Sequence, residues 1–156
     1  MKKSSIDDRM KRYENVNRYS LIRRTPVIIR LDGKAFHSFT KDLDKPFDED
    51  LHNTFKQTVF YLVSQIQGAV FAYTQSDEIS ILLRDWDTLT TDAWFDYNIQ
   101  KMASVSASIV TAKFNMLWHK SNKIAFFDSR VFNLPKEEVC NYFIWRQQDA
   151  TKNSIN

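Results

Sequence analysis

The order of hydrophobic patterns between Val27 and Phe132 is the feature that most constrains the fold of this chain. Short apolar runs, several of them β-branched, indicate strands, and apolar residues spaced by three and four positions indicate helices. The strand patterns fall at 26–31, 69–74, 79–83 and 124–132, and the helical patterns at 48–68 and 93–118. Strand, helix, strand, strand, helix, strand is the ferredoxin-like βαββαβ arrangement, which belongs to the α+β class.

Helices are expected on both sides of this core. Residues 5–19 carry an apolar stripe at helical spacing, and a last helix should begin near Asn133 or Leu134 with Pro135 in its first turn. With 43% apolar residues, the chain can enclose one core, so we interpret residues 1–156 as a single domain. Its parts are a basic N-terminal helix (1–23), the βαββαβ core (24–132) and a C-terminal helix (133–156).

Cysteine usage and hydropathy bear on the compartment. Cys140 is the only cysteine, which excludes an intrachain disulfide and disfavours a zinc site built from cysteines. The N-terminus lacks the apolar run of a signal peptide, and no stretch is long and apolar enough to span a bilayer. We therefore expect a cytoplasmic protein.

The positive charge is concentrated at the N-terminal end. Residues 1–34 hold 10 Lys and Arg against 4 Asp and Glu, a balance of +6, whereas the remainder holds 12 against 15, a balance of −3. This end, with Arg23 and Arg24, is a candidate contact for an RNA backbone. On charge alone, a solvated helix face is an equally good interpretation.

The predicted topology brings two distant carboxylates together. The first and third strands are central and antiparallel, so Asp32, at the end of the first, should lie beside Asp77, just before the third. Neighbouring carboxylates repel unless a proton or a cation lies between them, and Mg²⁺ prefers such ligands. Taken singly, Asp32 reads as an Asp-Gly turn and Asp77 as a hairpin residue. Their convergence favours a metal site.

Other residues near Asp32 have functional and ordinary interpretations. Gly33 permits a close backbone approach, so its carbonyl could reach a metal or a triphosphate, although turns also use glycine. Lys34, His37 and Lys45 could bind phosphate, whereas exposed lysines are commonly just solvated and a lone histidine is commonly structural.

Four stretches resemble the tRNA(His) guanylyltransferase family and its guanylyltransferase-like relatives. The most specific are residues 30–39, RLDGKAFHSF, followed by Lys45-Pro46, and residues 73–80, YTQSDEIS. Residues 127–131, FDSRV, and 145–149, WRQQD, match further positions of the family. The resemblance extends from about Arg24 to Asn156.

The resemblance implies a polymerase-like palm that adds nucleotides in the 3′-to-5′ direction. ATP first adenylylates a 5′-monophosphorylated tRNA, and the 3′-hydroxyl of GTP then attacks the activated 5′ phosphate. Two Mg²⁺ ions assist, and full-length members form a homotetramer.

The resemblance also implies roles for individual residues. The catalytic group is Asp32, Asp77 and Glu78, with the metal ions held by Asp32, Asp77 and the Gly33 carbonyl. The nucleotide-binding residues are Gly33, Lys34, Ala35, Phe36, His37, Lys45, Ser76 and Asp77. Among them, His37 would contact the incoming nucleotide, and Lys45 and Ser76 would serve the activation step. Arg130, with Arg23 and Arg24, would contact the triphosphate or the RNA.

One stretch departs from the eukaryotic pattern. Where eukaryotic members carry His-Ile-Asn-Asn-Leu-Tyr-Asn, residues 151–156 read TKNSIN, as in bacterial-type relatives that rebuild truncated tRNA 5′ ends. The resemblance therefore implies tRNA 5′-end repair as well as single guanylate addition. Family members continue beyond this point, so a C-terminally truncated form is expected.

Two other classes of function are compatible with part of this sequence. A nucleotidyl cyclase can share a palm with two metal-binding carboxylates, but the Gly-Gly-acidic hairpin of diguanylate cyclases is replaced here by residues 75–78, QSDE. A non-catalytic RNA-binding module would keep the basic end without chemistry, and the presence of both Asp32 and Asp77 argues against it.

Overall fold

The structure is a computed structural model that describes residues 5–45 and 48–155. Residues 1–4, Pro46 and Phe47, and Asn156, which the predicted domain and motifs include, lie outside the described residues. The elements, in chain order, are α1 (Ile6–Asn15), β1 (Val27–Gly33), α2 (Phe36–Thr40), α3 (Glu49–Gln65), β2 (Ala69–Gln75), β3 (Glu78–Leu83), α4 (Ile99–Leu117), β4 (Phe127–Asn133) and α5 (Val139–Ile155). Short 3₁₀ helices precede α4 and α5, at Trp94–Tyr97 and Lys136–Glu138.

The four strands form one antiparallel sheet in the order β2-β3-β1-β4. This confirms the predicted ferredoxin-like α+β fold, with the first and third strands adjacent at the centre. The register places Asp32 directly opposite Glu78 on β3 and opposite Asp128 on β4. Three acidic residues therefore lie side by side on neighbouring strands at one end of the sheet.

The two faces of the sheet differ in polarity because successive side chains of a strand point to opposite sides. One face carries Val27, Ile29 and Leu31 with their β3 partners, all fully buried against α3 and α4. The rings of Phe36, Phe39, Phe55, Phe114 and Phe127 extend this core, with centroids 5.0–6.0 Å apart. The face opposite carries polar residues and is partly covered by α5, which contacts Phe71 and Ser80.

Helix boundaries follow their caps more closely than their apolar stripes. Asp48 caps α3 as predicted, its carboxylate accepting from Leu51 N–H at 3.0 Å. The helix expected from Ala93 begins only at Ile99, because Phe95 and Asp96 adopt positive φ and Asn98 is the actual cap. The short α2 was not predicted, since five residues are too few to show a periodicity.

Other predicted boundaries were also wrong. The first helix ends at Asn15, short of residue 19. The fourth strand begins at Phe127 rather than 124 and extends to Asn133, so a helix cannot start there. Pro135 caps a 3₁₀ turn, and α5 follows at Val139. No helix among the described residues is long and apolar enough to cross a membrane.

Candidate active site

Asp32 lies at the polar edge of the sheet between two arginines. Its Oδ2 is 3.4 Å from Arg30 Nε and 3.5 Å from Arg130 Nη2. Neither contact is a well-formed hydrogen bond, and both Asp32 Oδ2 and Arg30 Nε are buried without a hydrogen-bond partner. Buried polar atoms are normally satisfied, so this carboxylate oxygen lacks the hydrogen bond that a buried acceptor usually has.

Asp77 occupies the tight turn that joins β2 to β3. The Gly33 N–H donates to the Asp77 carbonyl at 3.2 Å, and a Cβ added to Gly33 would lie 3.0 Å from Asp77 Oδ2. Burial raises the pKa of Asp77, and the negative charges of Asp32 and Glu78 raise it further. The structure therefore brings Asp32, Gly33 and Asp77 together, as the topology predicts.

Glu78, the third predicted catalytic carboxylate, is engaged by another side chain. It is almost fully buried, and Arg146 of α5 contacts both of its oxygens at 2.9 Å. Gln75 also donates to Oε2 at 3.3 Å. Sequence reasoning identified the residue but missed this pairing.

A groove of about 1230 Å³ opens between α2 and α3 on one side and β2 on the other. His37, Lys45, Ser76 and Asp77 line it where α3 begins and β2 ends, and apolar residues such as Val59 line the remainder. Phe36 also faces this groove, whereas Lys34 and Ala35 are exposed residues outside its lining. The predicted nucleotide-binding residues thus largely share one cavity, whose polar end is the Asp77 turn.

The segment that carries His37 and Lys45 is held from the connection between α4 and β4. Lys120 Nζ lies 2.6 Å from Asp48 Oδ2, and Lys123 Nζ contacts the Ser38 carbonyl and Asp42 at 3.2 Å. The hydrogen bonds from Lys120 and Leu51 N–H hold the pKa of Asp48 below its ordinary value. These contacts fix both ends of the loop at the groove.

A second cavity, of about 590 Å³, lies on the polar face of the sheet beside α5. Arg30 and Arg130, which are opposite each other in the register of β1 and β4, line it with Trp145. The Arg30 guanidinium carbon is 5.9 Å from the centre of the Trp145 ring. Two cations and an aromatic ring make this cavity suited to a phosphate with an adjoining base.

Arg23 and Arg24, by contrast, are engaged in ion pairs away from both cavities. Arg23 Nε donates to Asp85 Oδ2 at 2.8 Å, and the Arg24 backbone N–H donates to the same carboxylate at 3.0 Å. Burial raises the pKa of Asp85, but these bonds outweigh it and the net pKa is lowered. Contact of these arginines with RNA stays a prediction, and their visible role is to neutralise a buried carboxylate.

Comparison with known proteins identifies the family of this chain. The family model described as tRNA(His) guanylyltransferase matches residues 7–135, which is most of the chain. The chain belongs to the tRNA(His) guanylyltransferase family. Among curated relatives, it is 32% identical over 154 residues to the tRNA(His) guanylyltransferase of Schizosaccharomyces pombe, covering 94% of this chain and 56% of that protein. It is 31% identical over 144 residues to a probable tRNA(His) guanylyltransferase of Drosophila melanogaster, covering 87% of this chain and 49% of that protein.

Solved structures of family members have the same fold. A bacterial tRNA(His) guanylyltransferase-like protein in complex with ATP superposes with a TM-score of 0.93 at 56% identity, covering 97% of this chain and 67% of that one. The tRNA(His) guanylyltransferase of Saccharomyces cerevisiae superposes with a TM-score of 0.77 at 26% identity, covering 90% of this chain and 63% of that one. This chain spans about half the length of the two curated relatives.

The donor set of this family member is compatible with Mg²⁺. Asp32 Oδ2 accepts no hydrogen bond, burial raises the pKa of the neighbouring Asp77, and the Gly33 backbone lies beside both residues. Among the described residues no group of three or more His, Cys, Asp or Glu could hold a metal. The remaining ligands would be waters and substrate phosphates, the coordination that Mg²⁺ prefers.

Two residues of the site were missed by sequence reasoning. Arg30 could have been found, because it stands two positions before Asp32 on the same strand and must share its face. Arg146 lies in a stretch that matches the family, but nothing in the sequence links it to Glu78.

Proposed function

We propose that this chain is a nucleotidyltransferase that adds GTP-derived nucleotides to the 5′ end of tRNA in the 3′-to-5′ direction. One observation carries the proposal: Asp32, Gly33 and Asp77 meet at the polar end of a groove that His37, Lys45 and Ser76 also line. Membership of the tRNA(His) guanylyltransferase family supports the choice of reaction.

Asp32, Asp77 and the Gly33 carbonyl are proposed to hold two Mg²⁺ ions. When bound, such ions neutralise phosphate charge and support the attacking and leaving oxygens of an in-line displacement. The protein contributes two carboxylates whose mutual repulsion favours a bound cation, as the raised pKa of Asp77 indicates.

The groove is proposed to bind the nucleotide, as its shape and lining suggest. Its apolar part would take the base, and its polar end the phosphates, with His37 on the incoming GTP and Lys45 and Ser76 on the ATP of the activation step. Gly33, Lys34, Ala35 and Phe36 would surround the triphosphate with backbone and ring contacts. A related bacterial protein has been solved in complex with ATP and in complex with GTP, which supports nucleotide binding by this chain.

The cavity beside α5 is proposed to receive the 5′ end of the RNA. Arg30 and Arg130 would bind the 5′ phosphate of the RNA. The phosphate would then lie on the side of Asp32 that faces away from the groove. The 3′-hydroxyl of GTP would then attack the RNA 5′ phosphorus, forming a phosphodiester bond and releasing AMP from the adenylylated end. We further propose a cytoplasmic enzyme that forms a homotetramer at full length.

The test is incubation of the protein with ATP, Mg²⁺, α-labelled GTP and 5′-monophosphorylated tRNA whose 3′ end has been oxidised with periodate. Label in the RNA requires addition at the 5′ end, since the oxidised 3′ end cannot be extended. A tRNA lacking its first nucleotides should gain several nucleotides if the activity is repair.

Two results would contradict the proposal. Cyclic GMP formed without labelled RNA would establish a cyclase, and RNA binding without any turnover would establish a non-catalytic module. Asp77→Asn serves as the control that should remove labelling while leaving the fold intact.

A further inference from the structure

A buried ion pair joins α5 to the turn that presents Asp77. Arg146 Nε donates to Glu78 Oε2 at 2.9 Å, and Arg146 Nη2 lies 2.9 Å from Oε1. The side chains are only 7% and 10% exposed, and the second donor of Arg146 also reaches Asp149 at 2.8 Å. Two-point pairing of this kind fixes both the distance and the orientation of the partners.

The contacts with Arg146 take up both oxygens of the Glu78 carboxylate. Oε2 accepts from Arg146 and from Gln75, and Oε1 is ion-paired with Arg146 Nη2. Glu78 is the first residue of β3 and lies opposite Asp32, so the two side chains point to the same face of the sheet. Asp77 precedes the strand and belongs to the turn. A carboxylate with both oxygens held at 2.9 Å by one guanidinium is a poor additional ligand for a cation, whereas the contacts of Asp32 with Arg30 and Arg130 are longer, at 3.4 and 3.5 Å.

The turn between β2 and β3 needs such support. Gln75 and Glu78 are its paired flanking residues, and between them Ser76 adopts a φ of 51°. A non-glycine residue in the left-handed region is strained and persists only where its surroundings hold it. The Glu78–Arg146 pair and the nearby Ser80–Tyr142 hydrogen bond of 2.7 Å tie this end of β3 to α5.

We propose that Glu78 and Arg146 are positioning residues, which hold the β2–β3 turn so that Asp77 points at the metal site, and that Glu78 is not itself a metal ligand. The inference rests on the proposed function, in which Asp77 binds Mg²⁺. It assigns Arg146 a part in the reaction without any contact of its own to substrate.

Four variants test the assignment: Arg146→Gln, Glu78→Gln, the double variant that combines them, and Asp77→Asn. Arg84→Gln is the matched control, because Arg84 pairs with Asp87 on the surface at a distance from the site. For each protein we would measure the Tm without metal, the affinity for Mn²⁺ with GTP by fluorescence, and the rate of labelling.

Arg146→Gln leaves a buried carboxylate unpaired, so we expect a lower metal-free Tm and a loss of metal affinity of roughly 10- to 100-fold, as for other residues that orient a ligand. The double variant leaves no unpaired buried charge, so it should recover most of the lost Tm and part of the metal affinity. Glu78→Gln should keep measurable activity, whereas Asp77→Asn should not.

The outcomes separate the possibilities. If Glu78→Gln and the double variant lose metal binding as completely as Asp77→Asn, Glu78 is a ligand and the inference is wrong. If Arg146→Gln lowers only the Tm, while the folded protein binds Mn²⁺ and turns over normally, the pair is merely structural and the inference is also wrong. Full activity of Asp77→Asn would instead overturn the proposed function.

Discussion

Gly33 and Asp77 are in direct contact across the polar edge of the sheet. The N–H of Gly33 donates to the Asp77 carbonyl, and the space a side chain would need at Gly33 is bounded by Asp77 Oδ2 at 3.0 Å and Phe36 Cδ2 at 2.5 Å. The position therefore requires glycine, because there is no room for a side chain between the Asp77 carboxylate and the Phe36 ring.

Gly33→Ala should reduce nucleotide addition strongly, because the new methyl group must displace either the Phe36 ring or the Asp77 carboxylate. Misplacing a reacting group by about 1 Å can cost about 100-fold in rate. Steady-state labelling of tRNA measures the effect, with Ser38→Ala as an exposed control. Normal turnover in Gly33→Ala would show that the close contact is dispensable.

Asp77→Asn should stabilise the metal-free protein near neutral pH. A carboxylate whose pKa is raised on folding favours the folded state when protonated, and this contribution is lost as the pH rises through the folded pKa. Above that pH the charge opposes folding, and asparagine removes it. Melting curves should show a higher Tm for the variant at pH 7. The gain should disappear below about pH 4, where Asp77 is protonated and therefore as neutral as the asparagine. A variant less stable than the parent at pH 7 would contradict the assigned repulsion.

Asp32→Asn should have the opposite effect on stability from Asp77→Asn, although the two carboxylates are neighbours. Asp32 lies between Arg30 and Arg130, so its charge is partly compensated. Removing it leaves two arginines facing each other, and we expect a small fall in the free energy of unfolding, within about 1 kcal/mol for a partly exposed pair.

The convergence of Asp32 and Asp77 could be predicted from sequence because it depends only on strand order. Once β1 and β3 are antiparallel neighbours, the end of one must meet the start of the other, whatever the side chains do. The start of α4 could not be predicted in this way, since the apolar pattern continues through Trp94 and Tyr97 although the backbone leaves the helical region there.

The ion pairs of the site lay beyond sequence reasoning for a different reason. Arg24 and Asp85 are 61 residues apart, and Glu78 and Arg146 are 68 apart. Periodicity says which face of an element a residue occupies, but it does not say which distant charge meets it. Charge alone therefore makes Arg23 and Arg24 candidate RNA contacts, and it does not predict that both contact Asp85.

Lys45→Ala should slow addition to 5′-monophosphorylated tRNA and leave addition to 5′-triphosphorylated tRNA nearly normal. Lys45 lines the groove near the Asp77 turn, and loss of one charge-stabilising contact typically costs on the order of 100-fold in rate. Single-turnover rates on the two substrates isolate the activation step. Equal slowing on both would mean that Lys45 acts in general binding, and no slowing would mean that it is a solvated loop residue.

The salt dependence of tRNA binding should distinguish Arg130 from Arg23. Each phosphate contact adds roughly 0.9 to the slope of log affinity against log salt for duplex nucleic acid. Arg130→Gln should lower the slope by about one contact. Arg23→Gln should leave the slope unchanged and reduce the Tm, because the buried Asp85 loses one of the two arginines that contact its carboxylate. A lower slope in Arg23→Gln would show that this arginine reaches the RNA after all.

The attachment of α5 has a consequence for how the molecule opens. Its contacts with the sheet include two buried polar pairs, Ser80 with Tyr142 and Glu78 with Arg146, whereas α3 and α4 are held by the continuous apolar core. Elements that bury less apolar surface exchange their amide protons through smaller, separate openings. α5 should therefore detach at denaturant concentrations that leave the rest of the sheet folded. The chain would then lose the wall of the arginine cavity, while the groove between α2, α3 and β2 persists.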